Sequence, residues 1–209
     1  MSVALFDLLD RGIAILGLTD LPKGLNEALI GYLELLIRWN QAYNLTALHD
    51  LEEMVIKHLL DSLSVLPNLT PGRLLDVGSG AGLPAVPIAL ARPWFSVTAL
   101  DSNHKKIRFI RQSILSLKIP NLDAVCARTE EHTPTVLYDT IVSRAFSSLF
   151  NFVYKTKHLL APKGVWLAMK GTYPTVELEE LLNREPSIKY EVIPIFGLGV
   201  ERCLVRLQQ

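Results

Sequence analysis

The 209-residue chain is short of cysteine, of net charge and of long apolar runs, and each shortage excludes a class of protein. Its two cysteines, Cys126 and Cys203, form neither a metal-binding spacing nor a disulfide framework. A reducing compartment and two buried, hydrophobe-like thiols are expected, with no metal site. No apolar stretch approaches the roughly 18 residues that cross a bilayer. The opening segment carries Asp7 where a secretory signal would carry positive charge. The expectation is a cytoplasmic protein with no membrane contact. Basic and acidic residues number 21 each, so any surface for nucleic acid must be local. Neither repeats nor low-complexity segments occur, and 49% hydrophobic content is enough to bury a full core.

The neutral total hides an asymmetry. Residues 1–70 hold 4 basic against 9 acidic side chains, while residues 71–209 hold 17 against 12. Part of the basic excess lies in one predicted helix, at Lys105, Lys106, Arg108, Arg111 and Lys118. Such a run is either a solvated helix face or a surface for nucleic acid.

The organisation is helical first and alternating afterwards. Leu25, Leu29, Leu33, Leu36 and Ile37 recur at helical spacing, as do Val55, Ile56, Leu59, Leu60 and Leu63 after a capping box at Asp50 and Glu53. A Pro- and Gly-containing connection over 67–72 separates this extension, residues 1–70, from a core over 71–209. Strands are predicted at 73–77, 95–100, 122–127, 140–142 with flanks, 165–169, 189–195 and 202–207, and helices from near Pro84, Asn103, Ser147 and Thr175. That alternation implies an α/β, doubly wound, Rossmann-like sheet of seven strands. Only residues 197–201 separate the last two strands. This is too short for a crossover, so the last strand must run antiparallel.

The chemistry starts at Asp76-Val77-Gly78-Ser79-Gly80-Ala81-Gly82, which follows the apolar pair Leu74-Leu75. Alternate glycines let a chain turn off a strand and approach a ligand with its backbone. A dinucleotide loop has GxGxxG spacing and a pyrophosphate, which Asp76 would repel. S-adenosylmethionine, with a sulfonium and an ammonium, suits an acid there, acting directly or through the loop. Asp101, at the next strand end, can accept from both ribose hydroxyls.

Beyond this loop, Arg38-Trp39-Asn40-x-x-Tyr43-Asn44-Leu45-Thr46, His58-x-x-Asp61-Ser62, Leu100-Asp101-Ser102, Arg128-Thr129-Glu130-Glu131, Ser143-Arg144-Ala145-Phe146, Lys170-Gly171 and Gly199-Val200-Glu201-Arg202 share an order and spacing. Together they resemble the bacterial small-subunit ribosomal RNA guanine-N7 methyltransferases, also called glucose-inhibited division protein B. The resemblance runs from about residue 30 to the end. Ala85 and Cys203 depart from it, standing where many members have glycine and some have histidine. It implies methyl transfer from S-adenosylmethionine to one guanine of 16S ribosomal RNA, on free RNA or the small subunit, with S-adenosylhomocysteine as product. A monomer is expected. The donor set comprises Asp76, Gly78, Gly80, Gly82, Leu83, Asp101, Ser102, Thr129, Glu130 and Arg144. The RNA set comprises Asn44, Phe146, Lys170, Arg202, Lys105 and Arg108.

Each assignment has a plainer rival. Leu83 either packs on the donor or belongs to the core, and Thr129 either helps read adenine or caps a helix. Pro84 reads as an N1 proline. Phe146 either stacks on an extruded base or fills the core. Asn44 and Thr46 cap a turn or guide RNA, and His58 is read as an i, i+3 partner of Asp61. The fourth strand's end carries neither an Asn-Pro-Pro-Tyr acceptor nor an activated cysteine. Guanine N7 has a free lone pair and no proton to lose, so positioning alone can carry the reaction, with Arg144 as the catalytic candidate. Arg144 has three possible partners: guanine O6 and N7, the donor's carboxylate, or a phosphate. A methyltransferase of small molecules or proteins, and a donor-sensing binder, are the alternatives.

Overall fold

The computed structural model describes residues 3–144 and 146–209. Seven strands form one sheet: β1 (Arg73–Val77), β2 (Ser96–Asp101), β3 (Leu122–Cys126), β4 (Tyr138–Ser143), β5 (Leu160–Lys170), β6 (Lys189–Ile195) and β7 (Arg202–Gln208). Their order is β3-β2-β1-β4-β5-β7-β6. All neighbours pair in parallel except β7, which is antiparallel to both β5 and β6. The strand order reverses between β1 and β4, and there the crevice at the carboxyl ends of the strands opens.

The central strands are buried on both faces, which explains their near-continuous apolar sequences. Alternate residues point to opposite faces. Leu74, Val142, Leu167 and Leu204 join one apolar cluster, while Leu75, Ile141, Trp166 and Val205 join the other. The first face is covered by α1 (Val3–Ile15), α2 (Leu25–Tyr43), α5 (Ala85–Ala91), α6 (His104–Leu117) and a helical segment between α2 and β1. That segment begins as α3 (Leu51–Met54), passes through a π-helical stretch (Val55–Leu60) and ends as α4 (Asp61–Leu63). The second face carries α7 (Leu149–Thr156) and α8 (Thr175–Arg184).

Local chemistry sets the helix starts. Asp50 accepts from the Glu53 N–H at 2.8 Å, as the capping box requires. Asn103 caps α6 by accepting from Lys105, and Ser148 caps α7 by accepting from Asn151. Pro84 differs from its N1 reading: it is the N-cap of α5, joined to Leu83 by a cis peptide. The sequence pattern did not reveal α1. Its buried face is Leu5, Leu9 and Gly12, and a Cβ on Gly12 would run into the Leu60 side chain. A glycine needed for close helix approach interrupts the apolar stripe that would have announced the helix.

Candidate active site

The glycine loop leaves β1 and folds back on the neighbouring strand. The N–H groups of Gly78 and Ser79 both donate to the Leu100 carbonyl, at 2.8 and 3.1 Å. Gly78, Gly80 and Gly82 have φ of 72°, 59° and 87°, a region that residues with a Cβ rarely enter. Two carboxylates hold this shape. Asp76 Oδ2 accepts from the Ala85 N–H at 3.1 Å, and Asp101 Oδ2 accepts from the Gly80 N–H at 2.9 Å. Asp76 is fully buried, and burial pushes its carboxyl up to about 7. Its Oδ1 has no hydrogen-bond partner among the described residues. From α2, the buried Tyr32 hydroxyl donates to the Ala81 carbonyl at 2.7 Å, and burial raises its pKa.

Beside the loop lies a cavity of about 350 Å³, within the usual range for small-ligand sites. Gly78, Asp101, Ser102, Thr129, Glu130 and Phe146 are on its lining, as are Lys106 and Arg128. A Cβ placed on Gly78 would meet nothing within 4 Å. Asp101 is buried, and its Oδ1 also accepts from the Asn103 N–H. Phe146 both faces the cavity and packs on Phe152, with ring centroids 5.6 Å apart. Thr129 opens a short 3-10 turn (Thr129–Glu131) whose N-cap is Arg128, so the capping reading of Thr129 does not hold.

A second pocket, of about 320 Å³, opens on the other side of the β4 end. It is lined by Lys57, His58, Asp61, Arg144, Lys170 and Arg202 among others. Asp61, supplied by the helical segment, is the hub. Its Oδ1 accepts from Arg202 Nε at 2.9 Å, and Oδ2 lies 3.8 Å from Arg144 Nη1. Burial raises the Asp61 pKa, and the two arginines pull against it. Arg144 also donates to the Lys57 carbonyl at 3.1 Å. The expected pair of His58 with Asp61 does not form, because the arginines occupy the carboxylate. The His58 Nε2 lies 2.8 Å from Thr46 Oγ1, while Nδ1 lies 3.2 Å from the Lys57 carbonyl and 3.4 Å from Arg144 Nη1. Burial, followed by the Arg144 charge, lowers the His58 pKa to about 4.

The family described as rRNA small subunit methyltransferase G matches residues 25–201. The chain belongs to this family. A relative named ribosomal RNA small subunit methyltransferase G, from Methylobacillus flagellatus, is 49% identical over 199 residues, covering 95% of this chain and 96% of its own. A protein of the same name from Chromobacterium violaceum is 50% identical, with 95% of each chain covered. Among solved structures, a SAM dependent methyltransferase from Aquifex aeolicus is similar with TM-score 0.59 at 15% identity, covering 75% of this chain and 93% of that one. The glycopeptide N-methyltransferase MtfA, solved with S-adenosylmethionine, has TM-score 0.61 at 12% identity, covering 72% and 86%. These two share the methyltransferase fold. The cofactor of the family is S-adenosylmethionine, and the 350 Å³ cavity fits it: the open space above Gly78 admits a ligand against bare backbone, while Asp101 and Glu130 offer acceptors.

The structure sorts the candidates. Gly78, Asp101, Ser102, Thr129, Glu130 and Phe146 converge on the cavity beside the glycine loop, while Arg144, Lys170 and Arg202 converge on the polar pocket. Gly80, Gly82 and Asp76 shape the loop without lining either cavity, and Leu83 is buried in the core cluster. Asn44 is the C-cap of α2 and lies outside both cavities. The basic run on α6 is divided: Arg108 sits over the Trp39 ring, Arg111 donates to the Ala124 carbonyl, and Lys105 is exposed outside both cavities. Cys203 is buried as expected, but Cys126 is half-buried, its thiol 3.3 Å from His104 Nδ1. Ala145 lies outside the described residues. Sequence reasoning missed Lys106 and Arg128 as cavity residues, although Arg128 follows a strand end and could have been found by that rule. It also missed Lys57, whose signal is its carbonyl. Among the described residues, no group of three His, Cys, Asp or Glu could hold a metal ion, and no helix is long and apolar enough to cross a membrane.

Proposed function

We propose that the protein methylates N7 of one guanine in 16S ribosomal RNA, with the base in the polar pocket and the donor in the glycine-loop cavity. The observation that carries this reading is the absence of a free base among the described residues lining the polar pocket. Both His58 nitrogens are engaged and its pKa is about 4, and Asp61 is held between two arginines. A nucleophile that needs deprotonation would have no acceptor there. Guanine N7 needs none. S-adenosylmethionine supplies a methyl group already activated on its sulfonium. Asp101 would take the ribose hydroxyls, Thr129 and Glu130 the adenine edge, and Gly78 the close backbone approach. Arg144 would present a donor to guanine O6 from the polar pocket, while Phe146 lies on the donor side, in the glycine-loop cavity. Holding the reactants in line contributes up to about 7–11 kcal/mol.

The extension, residues 1–70, sets the polar pocket through Lys57, His58 and Asp61. Asn44, Lys105, Arg108, Lys170 and Arg202 form a rim for the RNA backbone. The protein works as a monomer in the cytoplasm, where ribosomal subunits are. Labelled methyl transfer from S-adenosylmethionine to 16S RNA and to isolated small subunits, followed by cleavage at N7-methylguanine, tests this. A single cleavage site is expected, and donor binding without labelled RNA would overturn the substrate assignment.

A further inference from the structure

The cavities along the carboxyl edge of the sheet lie in strand order. The donor cavity sits at the ends of β1, β2 and β3, and the polar pocket at the ends of β4 and β5 and the start of β7. Beyond Arg202, which lines both, lies a third and larger groove of about 720 Å³. It is walled by the end of β6, the β6–β7 connection and Tyr173 from the β5–α8 connection. Phe196 and Tyr173 stand in it at 77% and 55% exposure, so two aromatic side chains present open faces to one groove. Gly197 and Gly199 flank the tip with φ of 87° and 69°.

We propose that this groove is an RNA subsite that holds an unpaired nucleotide next to the target guanine, stacked on Phe196 and Tyr173. The proposal rests on the guanine-N7 reading above. Extracting a guanine unstacks its neighbours as well, and an aromatic platform at the next position along the strand restores that contact. Arg202 stands at the partition, with Nε on Asp61 and Nη1 on the Glu201 carbonyl, so the phosphate linking the two nucleotides would cross at the outer end of its guanidinium; Lys170 on the adjoining wall is paired with Glu177. Glu201, an exposed carboxylate on the same groove, turns the phosphate path towards the Arg202 side. The volume suits a ligand of nucleotide size.

The test uses small subunits from cells lacking this methylation, with Phe196→Ala, Tyr173→Ala, Phe196→Leu and Phe196→Trp in the full chain. Each alanine variant should raise KM for subunits about 10-fold, a modest cost for losing one stacking ring. The kcat and the affinity for S-adenosylhomocysteine should stay at wild-type values. Trp should restore KM and Leu should not, because stacking needs a flat face. In parallel, a short single-stranded RNA centred on the mapped guanine carries 2-aminopurine beside it. Its fluorescence should be quenched by the wild type and not by Phe196→Ala. Unchanged KM in both alanine variants overturns the proposal. Full rescue by Leu overturns it in favour of an apolar protein partner. If the wild type binds S-adenosylhomocysteine but methylates no subunit RNA, the guanine-N7 reading fails. The groove is then judged separately by 2-aminopurine quenching on an oligouridine probe.

Discussion

Tyr32→Phe removes one atom from the contact between α2 and the donor loop. The Tyr32 hydroxyl is fully buried and donates to the Ala81 carbonyl at 2.7 Å, and Ala81 is itself buried. Deleting the hydroxyl strands a carbonyl away from water, which costs about 1–3 kcal/mol. The ring stays against Phe109, at a centroid distance of 6.0 Å, so no cavity forms. For a chain of this size, 1 kcal/mol moves Tm by about 2–4 °C, so a fall of about 3–10 °C is expected in thermal unfolding. Donor affinity should behave differently. The loop keeps the Asp76, Asp101 and Leu100 bonds, so the dissociation constant for S-adenosylhomocysteine should change by less than about 2-fold. An unchanged Tm would refute the reasoning about the stranded carbonyl. A large loss of donor affinity with unchanged Tm would show that the helix tunes the loop rather than stabilising it.

Gly78→Asp places a side chain in the open space of the donor cavity at a φ of 72°, and calorimetry should detect no S-adenosylhomocysteine binding while circular dichroism stays native. Retained affinity would remove the loop from the donor site. Arg144→Ala should reduce turnover at least about 100-fold, within the range seen when one positioned donor is lost. Its Tm should fall by only a few degrees, because the Lys57 carbonyl keeps its His58 contact and Asp61 keeps Arg202; unchanged turnover would dismiss Arg144 from the site. Two buried groups give opposite pH dependences. His58, depressed to about 4, contributes stability that is present above about 6.5 and lost as pH falls towards 4, and His58→Gln should flatten that limb. Asp76, raised to about 7, contributes stability that is present below about 4 and lost as pH rises through 7, and Asp76→Asn should remove that loss in a Tm-versus-pH series.

Much of the fold was legible because its signals are local. The alternation of strands and helices, the glycine loop and the short gap before β7 are each properties of neighbouring residues. They predicted the strands to within a few residues at most ends and the antiparallel last strand. The main exception was β5, which begins earlier, at Leu160. The polar pocket was less legible. His58 and Asp61 sit three apart on a helical segment, and local spacing pairs them, yet Asp61 instead meets Arg144 and Arg202 from strands β4 and β7. Lys57 contributes through its backbone, which no side-chain pattern reports.

By itself the sequence determined the alternation of strands and helices, the loop that can admit a donor, and the lack of an acceptor or thiol at the end of β4. Those follow from residue type and spacing, which act over a few positions. Only the tertiary structure decided that Asp76 is fully buried and holds the Ala85 N–H, that the arginines share one carboxylate, and that three cavities lie along one edge. The reason is that burial and charge pairing depend on which distant segments meet, and a buried carboxylate or imidazole takes its charge from those neighbours.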